Sequence, residues 1–171
     1  MTTDELTAGP VPTGRVAEGS LGREIQLTRQ FRAPIDAVWA AMTESERLER
    51  WIGRWEGDPR TGRVDFFMTA EGEDPPAEEY RIEVCDPPHR FAGRTAVGDD
   101  QWQLRFELSE QAGITTLLFA QAIVHEVGEV GPGWEFYLDR LQAALADEDV
   151  AAVQWDAYYP AMKAYYSALA G

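Results

Sequence analysis

Two histidines occur in the chain, and they are the first candidates for acid–base work near neutral pH. His89 follows Pro87-Pro88 in a turn-forming run, so His125 is the better candidate. Its direction depends on the phase of a long apolar run, residues 114–126. If Leu118, Ala120, Ala122 and Val124 face the core, His125 faces solvent. If Leu117, Phe119, Gln121 and Ile123 do, it faces the mouth of a cavity. The small alanines favour the first phase, beneath a closely packed helix. His125-Glu126-Val127-Gly128-Glu129 falls one residue short of the zinc motif H-E-x-x-H, and Gly128 and Gly131 speak against the helix that motif needs. With Gly133 they are placed where a phosphate cradle forms, but Glu126, Glu129 and Glu135 would repel a phosphate. These glycines read instead as a tight lead-in to a helix. Cys85 stands between Glu83 and Asp86, which raise a thiol pKa, so it reads as structural. The carboxylates at 71–74 and 147–149 read as solvated. No catalytic residue, metal ligand set or cofactor site is assigned.

The remaining chemistry is apolar recognition. Val64, Phe66 and Met68 alternate on one strand, and Tyr80 and Ile82 on the next. Trp102, Leu104 and Phe106 do so on a third. Trp134, Tyr137, Leu138 and Leu141 recur at helical spacing, with Glu135, Asp139, Arg140 and Gln142 on the side that suits water. Trp39 and Trp51 are placed to close one end. These residues either fill a core completely or line a pocket for a small hydrophobic molecule, to which Tyr80, Tyr137 and Trp102 would add polar groups.

Positioning them requires a sheet and a long helix. Residues 23–31 alternate as a half-buried strand. Pro34 then opens a helix whose inner face is Ile35, Val38, Trp39 and Met42. Thr43 with Glu46 resembles a capping box for a second short helix carrying Leu48, Trp51 and Ile52. Strands follow over 63–71, 79–85, 90–97, 101–108 and 114–126, with a Gly98-Asp99-Asp100 turn between the third and fourth. On 79–85 Tyr80, Ile82 and Val84 share a face. The long helix begins at Gly133. Closely spaced strands imply an antiparallel meander, and that helix is the element large enough to cover it. The fold class is therefore α+β, a helix-grip arrangement in which a curved antiparallel sheet wraps a long helix. Residues 1–20 read as a flexible arm, 21–147 as the domain, and 148–171 as a helical extension packed on it. The extension's aromatics would pack on the body, form a lid, or make a homodimer contact.

Thirty acidic against fifteen basic residues give a formal charge of −15, which repels nucleic acid and anionic membrane surfaces. A single cysteine fits a reducing cytoplasm. The first residues lack the basic start and apolar run of a signal peptide, and no apolar stretch approaches the roughly 20 residues of a membrane span.

Four segments carry a resemblance. Ala33-Pro34-Ile35-Asp36-Ala37-Val38-Trp39 with Met42-Thr43, Glu49-Arg50-Trp51, Glu83 through Phe91, and Gly133-Trp134 with Leu138 and Leu141 are similar in order and spacing to the SRPBCC (START-like) superfamily. Within it they resemble the heat-shock protein 90 ATPase activator-like family of small bacterial proteins. The resemblance covers residues 23–147 and implies a ligand cavity between sheet and helix. The N-terminal motif and second domain of the eukaryotic co-chaperones are missing, which speaks against a chaperone partner. The superfamily also includes polyketide cyclases and dehydratases, the alternative reading of the same cavity. A protein-interaction role through the acidic surface is a third.

Overall fold

Alternating apolar positions build one eight-stranded antiparallel sheet in the computed structural model, which describes residues 9–97, 100–123 and 126–170. The strands are β1 (Arg15–Gly19), β2 (Gly22–Phe31), β3 (Arg54–Glu56), β4 (Arg63–Phe67), β5 (Glu78–Asp86), β6 (Arg90–Val97), β7 (Asp100–Gln111) and β8 (Ile114–Ala122). The helices are α1 (Ile35–Thr43), α2 (Ser45–Leu48), α3 (Val127–Leu145) and α4 (Lys163–Ala170). Across the sheet the order is β1-β2-β8-β7-β6-β5-β4-β3, so the meander from β3 to β8 closes against β2. α3 lies along the concave face. Its Leu138 and Leu141 are fully buried with Ile25 and Leu27 of β2 and Leu117 and Phe119 of β8. Burying side chains of this size contributes about 1.5–3 kcal/mol each. The helix-grip architecture expected from the residue pattern is the one observed.

Several local expectations change. Residues 15–19, assigned by composition to a loose arm, form β1 against β2. The short β3 pairs with β4 and carries no alternation long enough to be recognised. Thr43 ends α1 by donating to the Trp39 carbonyl (2.7 Å), and α2 has no side-chain cap, so the capping box does not form. A bulge between Ile82 and Val84 turns Val84 outward.

The phase of β8 is the reverse of the one favoured above. Leu117 and Phe119 face the core, and Gln121 accepts a hydrogen bond from Trp134 of α3. Ala120 and Ala122 lie on the convex face. Their small side chains leave room there for the Arg105–Glu24 pair (2.8 Å), which Gln26 joins at 2.8 Å. Val124, His125 and the expected turn at Gly98-Asp99 lie outside the described residues.

α3 begins six residues before Gly133. Gly128 and Gly131 are helical, and they make room for α4. A Cβ at Gly131 would sit 2.3 Å from the Tyr166 ring, and one at Gly128 2.3 Å from Ser167 Oγ. Tyr158, Met162 and Tyr166 are buried against the body, while Trp155 and Tyr165 stay partly exposed. Glu135, expected in water, is 1% exposed. The chain at Thr13–Gly14, together with Tyr166, covers that side of α3.

Candidate functional site

Residues directly opposite one another on paired strands share a face, so the strand register lays out the concave surface in rows. The deepest row is Phe91–Phe106–Phe119–Leu27. The next is Ile82–Gly93–Leu104–Gln121–Ile25. The outermost is Val64–Tyr80–Thr95–Trp102. Exposure is higher on the β5 to β7 side than on β8 and β2. Phe106 and Phe119 are buried, whereas Tyr80, Ile82, Phe91, Trp102 and Leu104 are half-buried. Their rings form a ladder: Phe66 to Tyr80 at 6.5 Å, Tyr80 to Phe91 at 6.1 Å and 14°, Phe91 to Phe106 at 5.3 Å and 17°. Trp39 of α1 tilts against Phe106 at 5.6 Å.

The opposite wall comes from α3, whose main strand partner among the described residues is β2. Trp134 crosses Phe119 at 4.3 Å between ring centroids, and its indole N–H donates to Gln121 Oε1, fixing the ring. Tyr137, one turn on, donates its hydroxyl to Glu71 Oε1 at 3.0 Å, tying α3 to the helical turn Thr69–Glu71 that follows β4. Burial, then the neighbouring Glu71, pushes the Tyr137 phenol above its ordinary range. Burial, then Glu83, does the same to Tyr80. Both phenols therefore stay protonated. Burial and then Glu71 also raise the Glu78 carboxyl, so the rim is acidic.

Of the fourteen residues expected at the site, nine lie half-buried on this surface or at its edge: Trp39, Phe66, Met68, Tyr80, Ile82, Trp102, Leu104, Trp134 and Tyr137. Val64, Phe106, Leu138 and Leu141 are buried. Trp51 is buried as well, with its indole N–H on the Ala41 carbonyl and its own carbonyl held by Arg140, both at 2.8 Å. Phe91, Thr95, Phe119 and Gln121 belong to the same face and were not singled out. The alternation of β6 carried the signal for the first two, and the misread phase of β8 hid the others.

The open clefts among the described residues include two that none of those fourteen line. One, of about 510 Å³, runs between Pro10–Val11, Arg29 and Asp139; the other, of about 320 Å³, lies beside His89 and Glu107. Cys85 is exposed and not structural, and burial followed by Asp86 raises its thiol pKa. No group of three or more His, Cys, Asp or Glu able to hold a metal occurs among the described residues. No described helix is long and apolar enough to cross a membrane.

Residues 32–165 match the family described as activator of Hsp90 ATPase homolog 1-like protein. The chain belongs to this family. Activator of Hsp90 ATPase homolog 1-like membership spans the grip from α1 to the first residues of α4 and so reaches past residue 147. Among solved structures, the chain is similar to CalU16 from Micromonospora echinospora, with 25% identity, a TM-score of 0.67, and 93% of this chain and 96% of that one covered. It is also similar to DynU16, a protein of the dynemicin biosynthetic locus, at 23% identity and a TM-score of 0.64, covering 74% of this chain and 49% of that one. A protein from Arthrobacter aurescens matches at 18% identity and a TM-score of 0.64, covering 77% and 91%. The last two likenesses concern the fold. No curated protein matches the chain.

Proposed function

We propose that this protein binds a small hydrophobic molecule between α3 and the β5–β7 part of the sheet. One observation carries the reading: on the face that α3 covers, the β5–β7 part of the sheet presents aromatic side chains that stay half-buried. Large apolar groups left partly in water opposite a helix are a surface awaiting a guest, whereas a finished core buries them. Trp134 and Tyr137, held by Gln121 and Glu71, give the helix side a fixed shape before any ligand arrives. The lone cysteine and acidic surface favour the cytoplasm and disfavour nucleic acid and anionic membranes as partners.

Native mass spectrometry of freshly purified protein tests this by looking for a co-purified small molecule. Titration with N-phenylnaphthylamine, which fluoresces in apolar surroundings, supplies a second readout. Leu104→Trp, which fills space in the middle row, is expected to weaken that probe by about tenfold or more, equivalent to about 1.4 kcal/mol, with the melting temperature retained. Undiminished probe binding by this variant would place the guest elsewhere.

A cyclase- or dehydratase-type enzyme is the second reading, favoured by the Tyr137–Glu71 pair, a phenol and a carboxylate in hydrogen-bond contact at the edge of the same surface. Recovery of the bound molecule in a converted form after incubation would favour it over simple binding.

A further inference from the structure

Thr95 is 8% exposed, and among the described residues its hydroxyl has no hydrogen-bond partner. An orphaned buried hydroxyl is destabilising, so its presence in an otherwise apolar wall calls for a use. The register places it on the concave face between Tyr80 of β5 and Trp102 of β7. Gly93, two residues before it on β6 and on the same face, lets the Tyr80 ring lie down on the sheet: a Cβ there would meet a Tyr80 ring carbon at 2.5 Å. The ring so placed continues the nearly parallel series through Phe91 to Phe106. The hydroxyl thus sits beside the end of a stacked series of aromatic rings.

Building on the binding function proposed above, we infer that Thr95 is the polar contact of the site and that the ligand is a neutral, flat ring system bearing a carbonyl or hydroxyl oxygen. Flatness suits the stack, which a further ring would extend. Neutrality follows from the surroundings. Glu71 stands at the rim and Glu78 is held close to it, so an anionic guest is repelled. The arginines near α3 are committed, Arg29 to Glu135 and Asp139 and Arg140 to the Trp51 carbonyl. A threonine hydroxyl donates and accepts, so it can meet either kind of oxygen.

Three naphthalene probes test the inference by calorimetric titration: acetylnaphthalene, ethylnaphthalene and naphthoate. The unaltered protein is expected to bind the ketone about five- to tenfold more tightly than the hydrocarbon, the yield of one neutral hydrogen bond in an apolar site. Naphthoate binds weakest. In Thr95→Val the ketone's advantage falls to about one while the hydrocarbon's affinity holds, and Thr95→Ser keeps the advantage. The melting temperature of Thr95→Val stays level or rises, because an unpaired hydroxyl has been removed. Equal binding of ketone and hydrocarbon to the unaltered protein, survival of the preference in Thr95→Val, or a preference for naphthoate overturns the inference and leaves the binding function standing. Failure of every probe to bind takes down the binding function itself, and this inference with it.

Discussion

Glu135 shows how much one side chain can organise. Its carboxylate takes hydrogen bonds from Thr13 N–H (2.5 Å), Thr13 Oγ1 (2.9 Å), Gly14 N–H (3.3 Å) and Arg29 (2.7 Å), and from the Tyr166 hydroxyl. Burial alone would raise its pKa, but the bonds from Tyr166, Thr13 and Arg29 outweigh it and hold the carboxyl below the usual range. The same balance, burial opposed by Arg105, Gln26 and Leu21, lowers Glu24 on the convex face. A depressed carboxylate pKa stabilises the fold fully above the unfolded value of about 4.3 and is lost as pH falls through the folded one. Melting temperatures followed downward from pH 7 should therefore drop steeply below about pH 4. Glu135→Gln should lose about 3 kcal/mol at pH 7 and show a shallower acid slope, with Glu24 keeping part of it. An equally steep slope in the variant would remove Glu135 as its source.

Among the elements, α3 departs most from ordinary propensity. Glycine inside a helix is worse than alanine by about 1 kcal/mol, so Gly131→Ala judged on the helix alone should stabilise. Against Tyr166 at 2.3 Å the opposite is expected, a loss of about 1–3 kcal/mol in a denaturant titration, because the ring is fully buried and cannot yield. This position also shows what a sequence conceals. Strand alternation was legible wherever one face meets the core, as on β7, where Trp102, Leu104, Phe106 and Leu108 fall on the side expected. It failed on β8, because both faces are buried there: one by α3, the other by Arg105 and Gln26 lying over alanines. The early start of α3 was hidden because its glycines answer to α4, a partner distant in the chain. The apolar side chains of the candidate site were legible by period. Thr95 was not, since nothing in the sequence shows that a hydroxyl lacks a partner.

For the molecule as a whole, charge is the dominant surface property. Thirty acidic side chains face fifteen basic ones, and most of the arginines are already engaged in ion pairs with carboxylates. The surplus carboxylates repel one another across a small globule, a force screened over about 10 Å at 0.1 M salt. Raising sodium chloride from about 0.02 to 0.5 M is thus expected to lift the melting temperature by a few degrees, as scanning calorimetry would register. A fall would mean that the surface pairs outweigh the repulsion. Another consequence follows from the place where Gly14, Glu135 and Tyr166 meet. The Gly14 amide reaches the Tyr166 hydroxyl at 3.0 Å across 152 residues of sequence. As the ribosome extends the chain, α3 is complete before Tyr166 has been made, so the Tyr166 hydrogen bond to the Glu135 carboxylate forms only after α4 arrives. Closing so long a loop is a late event in folding, and the grip on α3 tightens only once α4 has been made.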